Sequence, residues 1–175
     1  MAKTSRPVLK QAREPEDLLH QALLDEIEAL LEEMKTKGKV TEYILFSEFG
    51  LDIAIFMKKG DMVLTRFIEL KAYAGKRNGG VGFGNGRGRG CQADLLLLDT
   101  SKMEIIENSI RWVIWDSLRK NDKCFSFLSS REAKDSVMGE VEREKQNNFG
   151  IKKVFVKSSI TWDQLSAKIK EFMEN

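Results

Sequence analysis

Leu19, Leu23, Ile27, Leu30 and Met34 recur at spacings of three and four, which predicts an amphipathic helix over residues 15–36. Pro15 suits a first helical turn, Glu16 and Asp17 add the acidic charge favoured there, and Gly38 supplies the stop. Three runs rich in β-branched and aromatic residues follow at 43–48, 51–57 and 62–71, broken at Phe49-Gly50 and Gly60-Asp61, and they read as strands. Residues 75–90 are half glycine and read as a flexible loop, neither helix nor strand. The apolar run 92–98 reads as a helix, with a strand as the alternative that such a short run leaves open. Residues 110–115 and 124–128 read as further strands. Residues 131–147 read as a mixed-charge helix with Ala133, Val137 and Val141 as a thin apolar face. A last strand is expected at 151–156. The closing helix, 161–173, has Trp162, Leu165, Ile169 and Phe172 on one side. This order of elements predicts an α/β domain.

The three consecutive strands also predict a juxtaposition of charged groups. Gly60 can take the first position of a two-residue hairpin turn, which sets Lys59 opposite Met62. Counting back through that register brings Asp52 opposite Glu69. Directly opposed residues of an antiparallel pair share a face with Cβ atoms about 5 Å apart, close enough for two carboxylates to share one divalent cation. Lys71, two residues beyond Glu69, points to the same face. Such a trio is costly to desolvate unless a metal and a phosphate complete it. The bland alternative is a surface ion pair between Glu69 and Lys71.

Composition narrows the chemistry. A chain of 175 residues, 42% hydrophobic and 32% charged, is long enough for one domain with a real core. A single domain over 15–175 is expected, preceded by a basic N-terminal arm over 1–14 with Lys3, Arg6, Lys10 and Arg13. No run reaches the roughly 18 apolar residues of a membrane span, and no signal-peptide core is present, so a cytoplasmic protein with no membrane partner is expected. Cys91, Cys124 and His20 are the sole cysteines and histidine, which excludes a zinc cluster; the cysteines read as free thiols and His20 as a structural or surface residue. A catalytic metal would be held mainly by oxygen donors, the chemistry of Mg2+ or Mn2+. The net charge of +2 is too small to mark a nucleic-acid binder by itself, but residues 75–90 carry Lys76, Arg77, Arg87 and Arg89 with no acid.

The order helix, strand, Gly50-Leu51-Asp52-Ile53-Ala54-Ile55, hairpin, Phe67-Ile68-Glu69-Leu70-Lys71 resembles the PD-(D/E)xK nuclease superfamily over roughly residues 15–115, with Leu51 where the name expects proline. The resemblance implies a three-layer restriction-endonuclease-like core: a central mixed β-sheet flanked by helices in the order αβββαβ, here with extra C-terminal β and α elements. It implies that Asp52 and Glu69 bind the metal and that Lys71 positions or activates the attacking water. Glu48 would stand at the neighbouring strand end, either as a second metal ligand or as an exposed residue. Gln92 follows the loop where certain members place an orienting glutamine, although Leu96 replaces the accompanying tyrosine. An acid of the first helix, Glu26 or Glu28, joins the site in some members.

The function implied is a Mg2+- or Mn2+-dependent nuclease, with DNA ahead of RNA as its nucleic-acid partner and an endonuclease on weakly specific or structure-selected substrates as its form. No GxGxxG or P-loop pattern fits the glycine segment, so a nucleotide-binding turn is not supported. Instead the segment reads as a clamp in which Lys76, Arg77, Arg87 and Arg89 neutralise phosphates and Phe83 stacks on a base, or else as an inert linker. The alternative from another class is a catalytically silent nucleic-acid-binding or assembly module that keeps the fold. A homodimer is also conceivable, with Trp112, Trp115 and residues 125–127 supplying either core, the preferred reading, or a dimer surface.

Overall fold

The computed structural model describes residues 16–46, 51–73, 81–83, 108–116, 121–129, 131–132, 137–141, 151–154 and 159–175. Among them, helix α1 spans Glu16–Thr36. Strands β1 (Glu42–Leu45), β2 (Ile53–Lys59), β3 (Met62–Tyr73), β5 (Ile110–Asp116) and β6 (Phe125–Leu128) form one mixed sheet in the order β1-β2-β3-β5-β6. Among the described strands, β3 and β5 alone run parallel. Strands β4 (Val81–Phe83), β7 (Val137–Val141) and β8 (Ile151–Val154) form a second sheet in the order β4-β8-β7, and helix α2 spans Trp162–Glu174. The chain is therefore α/β.

Local chemistry sets the element ends. Gly38 takes φ +70 and closes α1, a backbone that costs glycine no Cβ clash. Gly60 takes φ +62 in the β2–β3 turn, and Lys59 pairs with Met62. α2 opens on a capping box, Thr161 accepting from Gln164 N while the Gln164 side chain accepts from Thr161 N.

The large sheet buries side chains on both faces. On one, Ile53, Ile55, Ile68, Leu70, Val113, Trp115 and Phe125 join the apolar stripes of α1 and α2 in one core. The two helices lie side by side there, with Lys170 Nζ 3.7 Å from Glu33 Oε1. On the other face the alternation brings Ala54, Glu69, Ile110, Trp112 and Ile114, all buried. Trp112, Trp115 and Phe125 are thus core residues, and Phe125 stacks on Trp115 at 6.1 Å.

Two expectations are corrected. Residues 137–141 are a strand paired with β8, not part of a helix. Val137 and Val141 lie four apart, a spacing common to one helical turn and to two strand repeats, and Gly139 between them weakens a helix. Within the glycine segment, Val81–Phe83 is a strand paired with Lys152–Val154, because a ladder is made by the backbone and flanking Val and Phe favour it even around Gly82. The basic arm over 1–14, Cys91 and the run 92–98 lie outside the described residues.

Candidate functional site

β3 holds the centre of the sheet, and its C-terminal half carries Glu69 and Lys71. The β2–β3 ladder runs from Lys59↔Met62 back to Ile53↔Ile68, the register expected from the Gly60-Asp61 turn. Asp52 stands one step beyond its last pair, level with Glu69. The regular ladder stops here, and a side chain takes over: Asp52 Oδ2 accepts from Leu70 N at 2.6 Å, the next β3 amide turned toward β2. The main chain of Asp52 is fixed from the other side, its carbonyl accepting from Phe46 N at 2.8 Å. Asp52 is thus held from both sides, by its carboxylate toward β3 and by its carbonyl toward Phe46.

His20 of α1 contributes the second contact, its Nε2 lying 3.1 Å from Asp52 Oδ1. Burial alone would push the Asp52 carboxyl up. The His20 hydrogen bond and charge, the Leu70 amide and the Lys71 ammonium together outweigh that effect and hold it below the usual carboxylate range. The influence of Lys71 on Asp52 ties the three groups into one electrostatic unit. Glu69, 3% exposed, accepts from Lys71 Nζ at 2.7 Å. Across the parallel ladder, Glu69 stands beside Trp112 and Lys71 beside Ile114, so the ion pair has an apolar wall.

The trio expected from sequence is therefore brought together at the mouth of the β2–β3 hairpin. Glu48, Gln92, Lys76, Arg77, Arg87 and Arg89 lie outside the described residues, and of Phe83 only the backbone is described. Neither acid of the first helix reaches Asp52 as a bonded partner. Glu28 accepts from the Tyr43 hydroxyl at 3.2 Å, and Glu26 lines a groove between α1 and α2. The residue that sequence reasoning missed is His20. Its position beside Leu19, at the edge of the α1 stripe, was the available signal, but the helix period alone does not say which strand end that edge meets.

As a donor set, Asp52 and Glu69 offer hard oxygens that suit Mg2+ or Mn2+, with the His20 nitrogen alongside. No group of three or more metal-ligating side chains is assembled among the described residues. No helix among the described residues is long and apolar enough to cross a membrane. No protein-family model, curated protein or solved structure matches the chain.

Proposed function

We propose that the chain is a divalent-metal-dependent nuclease of the PD-(D/E)xK type, hydrolysing phosphodiester bonds of nucleic acid, with DNA ahead of RNA, and built on a restriction-endonuclease-like core. The observation that carries the reading is the convergence of Asp52, Glu69 and Lys71 at one hairpin end, two low-exposure carboxylates and an ammonium. Holding three charges at low exposure is expensive, Glu69 at 3% above all, where Trp112 and Ile114 stand alongside.

Asp52 and Glu69 are the residues that would hold Mg2+ or Mn2+. When bound, such a cation lowers the pKa of water and stabilises charge on the phosphate. Asp52, fixed by the Leu70 amide, presents its remaining lone pairs without reorganisation. Lys71, hydrogen-bonded to Glu69, orients the attacking water. Glu48 as a further ligand, Gln92 as an orienting group, and Lys76, Arg77, Phe83, Arg87 and Arg89 as a phosphate clamp belong to the same proposal. So do homodimerisation and a cytoplasmic setting.

A second reading, a silent nucleic-acid-binding or assembly module, draws support from one feature: Asp52 and Glu69 already bond to His20, Leu70 and Lys71, a self-contained arrangement. The deciding experiment is cleavage of single-stranded, duplex, flapped and four-way DNA and of RNA, with Mg2+, Mn2+ or EDTA. Metal-dependent cutting that drops at least about 100-fold in Glu69→Ala is expected, a loss of about 2.7 kcal/mol in transition-state stabilisation. Binding without cutting in either metal would move the assignment to the silent module.

A further inference from the structure

His20 is the single histidine of the chain, and its neighbours in α1 set its place. Leu19 and Leu23 are buried in the core, and Leu24, one turn beyond His20, packs against it. Position 20 therefore lies at the margin of the apolar stripe, in reach of the sheet. The imidazole ends on Asp52, its Nε2 donating to Oδ1 at 3.1 Å.

The other oxygen of Asp52 accepts from Leu70 N at 2.6 Å. That bond alone does not fix the carboxylate. The terminal torsion of an aspartate is broad, so a group tied through Oδ2 only can still turn its plane about that contact. A donor on the second oxygen removes this freedom when a different rigid element carries it. Leu70 belongs to β3 and His20 to α1, and both elements are anchored in one core. The two donors take two of the roughly four acceptor directions of a carboxylate, which leaves one on each oxygen. The imidazole cannot itself hold a cation in this arrangement, because a nitrogen that gives its hydrogen to Asp52 has no lone pair to offer.

We propose, resting on the reading of Asp52 and Glu69 as metal ligands, that His20 is a positioning residue of that site. It sets the plane of the Asp52 carboxylate, so that the remaining lone pairs face the cation the two acids would share. Hydrogen bonds made to ligating side chains from outside the metal's own shell govern metal affinity by about 10- to 100-fold. A contact that only stabilised the fold would act otherwise. Its loss would lower the unfolding midpoint and leave the affinity of the folded chain for a cation unchanged.

The test is a calorimetric titration of the full chain with Mn2+, without nucleic acid, comparing the unaltered protein with His20→Ala, His20→Leu, His20→Gln and Asp52→Asn. Leucine keeps bulk without a donor, and glutamine returns an N–H donor on a side chain of similar reach. Saturable binding to the unaltered chain is expected, lost in Asp52→Asn, about tenfold weaker in His20→Ala and His20→Leu, and largely restored in His20→Gln. His20→Leu supplies the answer if His20→Ala impairs folding by circular dichroism. Undiminished affinity in both donor-free variants, beside lost affinity in Asp52→Asn, would overturn the positioning role and leave the metal reading standing. Binding as weak in His20→Gln as in His20→Ala would overturn it too, since the cation would then need the ring nitrogen itself. No saturable binding to the unaltered chain, or full binding in Asp52→Asn, would remove the metal reading and the positioning role together.

Discussion

At the scale of single residues, Asp52 does structural work independent of any chemistry. Its Oδ2 serves the Leu70 amide where the β2–β3 ladder ends, a buried N–H that an alanine would strand. Asp52→Ala is expected to cost about 1–3 kcal/mol in urea unfolding, and Asp52→Asn markedly less, because an amide oxygen still accepts from Leu70. The pH dependence follows from the lowered carboxyl pKa. A group whose folded pKa lies below its unfolded value, about 3.9 for aspartate, contributes its stability above that value and loses it as pH falls through the folded one. The melting midpoint of the unaltered chain should therefore fall on acidification below about pH 4, with a shallower fall in Asp52→Asn. Equal stability of the alanine and asparagine variants would show that the Leu70 contact contributes nothing.

At the scale of elements, α2 shows how a short motif sets a boundary. Thr161 and Gln164 exchange side-chain and backbone hydrogen bonds at its start, and Asp163 in the first turn complements the helix dipole. Thr161→Ala should lower stability by about 1 kcal/mol, read from the urea midpoint at unchanged slope, with Thr161→Ser close to neutral. This cap and the stripe Leu165, Ile169 and Phe172 are local signals, which is why α2 was legible in the sequence. The same holds for the hairpin: a two-residue turn at Gly60-Asp61 fixes the register arithmetically, and Asp52 level with Glu69 follows from it. Two strands were not legible. Val137 and Val141 satisfy both periods, and Val81–Phe83 is recruited by β8, a partner some seventy residues away that no local pattern announces. His20 escaped for the same reason. Meeting Asp52 depends on how α1 lies across the sheet, a tertiary outcome.

At the scale of the whole molecule, the two helices come from opposite ends of the described chain yet share one core over the sheet. An ion pair and a hydrogen bond reinforce this closure: Lys39 pairs with the Glu174 carboxylate, and Lys59 Nζ donates to the Glu174 carbonyl at 2.8 Å. These exposed contacts add little, whereas the burial behind them is large. Leu165, Ile169, Phe172 and Met173 are all buried against residues of α1 and the sheet. At about 1.5–3 kcal/mol for each such side chain, α2 contributes on the order of 6–12 kcal/mol, comparable to the entire net stability of a domain this size. It follows that α2 is not an appendage to a self-sufficient core of α1 and the five-stranded sheet. A chain ending after Ile160 should lose its cooperative urea transition and its near-ultraviolet circular dichroism, because Phe125 and Trp115 lose the aromatic packing that Trp162 extends. A truncated chain that still unfolds cooperatively near the original midpoint would instead mean that α1 and the five strands close a sufficient core by themselves.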